Sequence, residues 1–174
     1  MLLTRLKKGG ASSSLLYNKL EMEVSNMIPK YRAWDKRKQL MREVAVLHFN
    51  KNGNVSGIEY WKTPYDLQSI HANNINLMQS TGLKDKNGVE IFEGDCFIKN
   101  FRTIEIPTGK DGIEKAVGIV KFHEGAFQVR IDGWGYELLS EVVKPQMYGA
   151  NNDYWESEVI GNIYEKPELL EVSK

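Results

Sequence analysis

The chain has 174 residues, with 23 Lys and Arg set against 23 Asp and Glu, a length that makes one domain, or one domain with an appendage. The resulting net charge of zero excludes a protein that coats nucleic acid through sheer basicity, because such affinity needs a surplus of cations to neutralise phosphates; a local patch stays open. A single cysteine, Cys96, excludes an intramolecular disulfide and fits a reducing cytoplasm, and no apolar run approaches the length of a membrane-spanning helix.

The first 26 residues differ from the rest. Gly9-Gly10-Ala11-Ser12-Ser13-Ser14 is poor in core-forming residues and reads as a flexible linker. Leu2-Leu3 and Leu15-Leu16 are too short for a signal-peptide core, while Ser14 is placed to cap a short helix through Met22. Codons for Met22-Glu23-Val24 can spell a purine-rich ribosome-binding sequence ahead of Met27, so the expectation is a natural start at Met27 and an N-terminal extension over 1–26.

From Met27 onward the pattern is β. Lys30–Trp34 is a short strand, and Asp35–Gln39 a polar turn. Leu40–Trp61 reads as a hairpin about Asn52-Gly53, ended by Pro64, which cannot donate to a ladder. Asp66–Asn73 is polar and suggests a helical turn, with His71 exposed or capping. Leu77–Asp95 is the stretch on which the chain is organised: Gly82 breaks an apolar entry, Asp85-Lys86-Asn87-Gly88 forms a turn, and Val89 and Ile91 alternate with Glu90. Asn-Gly between β-type flanks is the strongest short hairpin signal, since both residues tolerate positive φ.

Asp95–Ile106 is a further strand, with a break expected near Asn100, and Pro107–Gly112 a loop. Ala116–Phe122 and Ala126–Asp132 form the clearest hairpin, with apolar residues on both faces as in a small closed barrel, and Gly118 marks a bulge or a barrel corner. Gly133–Tyr136 is an aromatic turn, Glu137–Val143 a strand or short helix ended by Pro145, and Gln146–Trp155 a polar loop. Ser157–Glu165 closes the sheet, and Pro167 starts a one-turn helix. The fold class is therefore mainly β, built from antiparallel hairpins with a small barrel element in the C-terminal half and short helices.

Several of these segments together resemble the YopX family of phage and prophage proteins. They are Lys30-Tyr31-Arg32-Ala33-Trp34-Asp35, Met78–Gly88, Ile91-Phe92-Glu93-Gly94-Asp95, Gly118-Ile119-Val120 and Val159–Glu165, in the family's order over nearly all of Met27–Leu170. The resemblance implies a mainly β domain with an SH3-like barrel element, a phage or prophage origin and the possibility of oligomerisation. It supplies no catalytic residues.

Chemical motifs are scarce. The chain has neither a GxxxxGK[ST] phosphate loop nor GxGxxG. His48, His71 and His123 are far apart, with no metal-ligand spacing. Asp85–Gly88 lacks the alternating oxygen ligands of a calcium loop and reads as a turn. No cofactor and no metal are therefore expected. Glu90, Glu93 and Asp95 are the candidates for paired-carboxylate acid/base chemistry, with Glu93 and Asp95 on one face if the segment is extended; the competing role is Asp95 bonding nearby backbone N–H groups with the glutamates in solvent. Cys96, in a strand, reads as a buried inert thiol.

Trp134, Tyr136, Tyr148, Tyr154 and Trp155 cluster in Gly- and Asn-rich segments late in the chain. Of these, Trp134, Tyr136, Tyr154 and Trp155 form the candidate interaction surface, against the alternative of core. The leading reading is a cytoplasmic, phage-encoded binding or assembly module and not an enzyme, a homo-oligomer with a phage or host protein as a further partner, and no membrane. The alternative is a single-stranded nucleic-acid binder drawing charge from Arg102, Lys121 and Arg130.

Overall fold

The structure is a computed structural model that describes residues 29–105, 107–131, 133, 135–144, 146–148, 153–155 and 158–170; side chains are described for these except 99–105, 111, 113, 114, 146–148 and 153–155. The expected extension over 1–26, Trp134 and Pro145 lie outside the described residues.

Among the described residues, the chain forms four antiparallel sheets. The first has the order β2-β1-β6-β7, from β1 (Tyr31–Asp35), β2 (Leu40–Glu43), β6 (Ile75–Lys84) and β7 (Glu90–Phe92). The second, β3 (Val46–Phe49), β4 (Val55–Thr63) and β5 (Asp66–His71), runs in sequence order. The third, which curls into a half-barrel, has the order β11-β10-β9-β8-β14, from β8 (Asp95–Glu105), β9 (Lys110–His123), β10 (Ala126–Ile131), β11 (Gly135–Leu138) and β14 (Glu158–Asn162). A ribbon of β12 (Gln146–Tyr148) and β13 (Asp153–Trp155) is the fourth. Helix α1 (Leu139–Val142) and 3₁₀ turns at Ala72–Asn74 and Pro167–Leu170 complete the elements.

Asp and Asn side chains organise the turns by accepting backbone N–H groups that the ladders leave unpaired. Asn50 Oδ1 accepts from Asn52 and Asn54, and Asp35 Oδ1 from Arg37 and Lys38. Asp85 Oδ1 accepts from Asn87 and Val89, and its Oδ2 reaches across to the N–H of Val159 at 3.1 Å. Gly88, at φ 79°, completes the expected β6–β7 hairpin, but Asn87 does not share the positive φ that a primed Asn-Gly turn needs. Its Asp85 thus ties that hairpin to β14. Asn162 Oδ1 accepts from Tyr164 and Glu165 in the same manner.

The core has two centres. Ile91, Phe97, Val120, Val129, Ile131, Leu139 and Val142 fill the half-barrel, and Ala33, Ile58 and Ile75 join the first two sheets. The β9–β10 hairpin and the closing strand β14 stand where the sequence placed them.

Five expectations need correction. Leu40–Trp61 is not one hairpin: the chain leaves the first sheet after Glu43, and only β3 pairs with β4 across the Asn-Gly turn. Asp66–His71 is a strand, with Leu67 opposite Trp61 and Ile70 opposite Ile58, and the helical turn is confined to Ala72–Asn74; His71 caps it, its Nδ1 accepting from Asn73. Strand β8 runs unbroken past Asn100, paired to β9 from Cys96 to Glu105, which shortens the expected loop. Gln146–Trp155 contains the β12–β13 pair. Gly118 lies in continuous register on both sides and forms no bulge. It is required instead by close approach, since a Cβ there would stand 2.3 Å from Val129 Cγ1.

Candidate functional site

The carboxylates singled out in the sequence all come near the junction of the first sheet and the half-barrel, but not as an acid/base pair. Gly94, at φ 83°, turns the chain between Glu93 and Asp95, so the two do not share an extended face. Asp95 is 1% exposed. Its Oδ2 accepts the Phe92 N–H at 2.8 Å, and its Oδ1 accepts from Nη2 of Arg32 on β1. The Arg32 guanidinium also lies over the Phe92 ring, 4.5 Å from its centroid. Burial pushes the Asp95 carboxyl above its ordinary range, against the opposing pull of Arg32 and of the Phe92 N–H.

Glu90 accepts from Lys30 Nζ at 2.5 Å and from Ser80 Oγ at 2.6 Å. Burial raises its pKa, but the hydrogen bonds from Lys30 and Ser80 outweigh that and hold it below the usual value. Glu93 Oε1 accepts the Phe122 N–H at 3.4 Å. Each carboxylate therefore has a structural partner, and the arrangement is an ionic clamp that joins β1 to β7 and β8. Trp34 stacked on Tyr164, with centroids 6.3 Å apart, extends the same junction.

Cys96 is fully buried, and burial with the neighbouring Asp95 pushes its thiol up to about 11, which leaves it protonated and unreactive. Among the described residues no group of three His, Cys, Asp or Glu is arranged to hold a metal ion. None of the described helices is long and apolar enough to cross a membrane.

Among the described residues, two sheet faces carry exposed aromatic side chains. Register places Val46, Glu59 and Ser69 in one row of the second sheet and Trp61 with Leu67 in the next, on the face opposite the buried Ile58 and Tyr60. Trp61 is 57% exposed and Tyr65, in the following turn, 96%. His48 Nε2 and Glu59 Oε1, 2.8 Å apart, form the polar part of this face. The other face belongs to β9–β11, where Tyr136 is exposed and stacked on His123.

Of the aromatic set predicted as a surface, Tyr136 is the member whose side chain is described; Tyr154 and Trp155 lie in β13, with side chains outside the described residues. The exposed Trp61, Tyr65, Phe49 and Leu67 were not singled out. Their signal was the two-residue alternation of Trp61 against Ile58 and Tyr60 on β4, readable only once β5 is known to pair with it.

A curled half-barrel joined by a buried ionic clamp to the first sheet defines a mainly β module. The family model described as "YopX protein" matches residues 30–171, and the chain belongs to the YopX family. It is similar to the crystal structure of protein EF1440 from Enterococcus faecalis, with 28% identity, a TM-score of 0.51, and coverage of 82% of this chain and 98% of that one. It is likewise similar to the structure of protein yopX from Bacillus subtilis, with 25% identity, a TM-score of 0.51, and coverage of 81% and 95%. No curated protein matches it.

Proposed function

We propose that this chain acts by binding, as an assembly module of a phage or prophage in the bacterial cytoplasm and not as an enzyme, and that its first partner is a second copy of itself. The outer face of β3–β4–β5 carries this reading: Val46, Trp61 and Leu67 stand exposed on it, with Phe49 and Tyr65 at its ends. Contiguous exposed apolar groups are costly on a monomer, and interfaces are enriched in Trp and Tyr. Among the described residues, strands β3 and β5 are both edges of their sheet, which suits them to pair with an added strand. A chain of zero net charge opposes self-association with little repulsion. The engagement of Glu90 and Asp95 by Lys30, Ser80 and Arg32 supports a non-catalytic role, and the phage setting rests on kinship with the family. Trp134, Tyr136, Tyr154 and Trp155 are a second candidate surface for a phage or host protein.

Light scattering on the eluting protein tests this. The wild type is expected above monomer mass, and Trp61→Ala is expected to shift to smaller particles at nearly unchanged melting temperature, because the indole is more than half exposed. A wild type that is strictly monomeric at high concentration refutes the reading.

A further inference from the structure

The turn between β1 and β2 concentrates positive charge. Lys36, Arg37 and Lys38 are consecutive and exposed at the end of the hairpin, beyond the last pair, Asp35 with Leu40. They lie in the basic part of the chain: residues 30–74 hold eight Lys and Arg against four Asp and Glu, in a sequence whose charges cancel overall. Other cations there are taken up, Lys30 by Glu90, Arg32 by Asp95 and Arg42 by Asp35. Among the described residues, no ion pair includes Lys36, Arg37 or Lys38. Lys36 Nζ donates to the Asn73 carbonyl oxygen at 3.3 Å, which is a dipole and not a counter-charge. Asp35, next in sequence, is 4% exposed: its Oδ1 accepts the Arg37 and Lys38 N–H groups, and its Oδ2 faces Arg42 at 3.8 Å. Glu43 stands at the other end of the hairpin, opposite Arg32.

The turn is held in one shape. Each N–H group of residues 36–39 has an acceptor: Lys36 on the Asn74 carbonyl, Arg37 and Lys38 on Asp35 Oδ1, and Gln39 on the Asp35 carbonyl at 2.8 Å. Gln39 sits at φ 54°, a left-handed conformation that a non-glycine residue adopts at a cost. Its Nε2 donates to the Lys36 carbonyl at 2.8 Å and closes the turn a second time. A position that glycine would fill without strain thus carries a long side chain, which fixes the backbone bearing the cations. A loop ordered in advance loses less entropy on binding.

Adjacent cations on a fixed turn suit a polyanion whose charges are closely and regularly spaced. Duplex DNA carries one phosphate charge per about 1.7 Å of its axis, about twice the density of a single strand. Residues 36–39 carry no aromatic ring on which an unpaired base could stack, so a single strand has nothing further to gain there. The B-form major groove admits a two-stranded ribbon, whereas the deep and narrow groove of an RNA duplex does not. Leu40, half exposed beside the cations, offers too little apolar surface to hold a bilayer. We propose that the β1–β2 turn binds the phosphate backbone of double-stranded DNA without reading its sequence, through Lys36, Arg37 and Lys38. The turn belongs to the first sheet and Trp61 to the second, so DNA binding stands or falls separately from self-assembly.

The test is fluorescence anisotropy of a labelled mixed-sequence DNA duplex with the full chain, at about 50 and about 200 mM salt. Saturable binding is expected at the lower salt. One phosphate contact from each of the three side chains predicts a slope of log affinity against log salt of about −2.7, so affinity falls about 40-fold between the two conditions. Arg37→Gln and Lys38→Gln are each expected to make that slope shallower by about 0.9. The triple variant Lys36→Gln/Arg37→Gln/Lys38→Gln is expected to lose binding, and Arg37→Lys to retain it. Lys51→Gln removes the same charge from the exposed β3–β4 turn and is expected to leave affinity nearly unchanged. The substituted side chains are exposed and the turn is held by backbone N–H groups, so each variant is expected to fold, which a thermal melt checks. No saturable binding at the lower salt, a triple variant that binds as the wild type does, or Lys51→Gln as damaging as Arg37→Gln would each overturn the proposal. So would equal or tighter binding of a single strand or an RNA duplex of the same length, or binding of phosphatidylserine vesicles in preference to the DNA duplex.

Discussion

Replacing Arg32 with alanine strikes the clamp that joins the first sheet to the half-barrel. The substitution leaves Asp95, 1% exposed, with its Oδ1 unpaired and only the Phe92 N–H at 2.8 Å on Oδ2. It also strips the guanidinium from the Phe92 ring. Breaking a buried ion pair by removing one partner costs about 3–5 kcal/mol, because the remaining charge is buried without compensation. That is a large part of the stability of an ordinary domain.

The pH dependence is distinctive. Burial already holds the folded-state pKa of Asp95 above its ordinary value, and Arg32 is the largest opposing influence. In the variant the pKa therefore rises further. The native state then binds this proton more tightly than the unfolded chain does, so stability falls as pH rises through the window between the two values and is recovered below it. Urea midpoints at about pH 7 and about pH 5 should thus show a deficit, relative to wild type, that shrinks on acidification. Removing the charge as well, in Arg32→Ala/Asp95→Asn, should restore part of the loss. A deficit below about 1 kcal/mol, or one that grows as pH falls, would refute the role of the pair.

Three further outcomes follow from named contacts. Gly88→Val places a β-branched residue at φ 79° and should cost about 1–3 kcal/mol of backbone strain in urea unfolding, with space around it open, so an unchanged midpoint would contradict the turn. Gly118→Ala drives a methyl to within 2.3 Å of Val129 Cγ1 and should cost about 1–3 kcal/mol by overpacking, with Gly118→Ala/Val129→Ala recovering part of it; a neutral single variant would refute the close approach. Cys96 should resist a thiol reagent at about pH 8 in the folded protein and react at once in denaturant, and rapid labelling of the native form would contradict its burial.

What the sequence made legible was local. The Asn52-Gly53 and Asn87-Gly88 turns, the Asp35 turn and the β9–β10 hairpin all rest on chemistry within a few residues. Leu40–Phe49 could not be divided correctly, because a run of high β propensity does not say which sheet each half joins. That is decided by the pairing of Leu40 with Asp35 in one sheet and of Val46 with Glu59 in another. Strand β5 was hidden by its polar residues, Asp66, Gln68, Ser69 and His71, which suit an edge strand as well as they suit a turn. At the junction, the bond of Asp95 to nearby backbone was legible and its ion pair was not, since Arg32 lies 63 residues away. Gly118 was correctly marked as special, but the bulge offered as one reason is absent: a bulge and a close approach both call for glycine, and only the position of Val129 distinguishes them.

Amide hydrogen exchange followed against protein concentration tests the assembly role most directly. Self-association through the second sheet predicts that backbone amides of β3 and β5 exchange more slowly as concentration rises, while those of β10 in the half-barrel do not change. Exchange in β3 and β5 that is independent of concentration, in a protein that light scattering shows to be associated, would place the contact elsewhere and contradict the account.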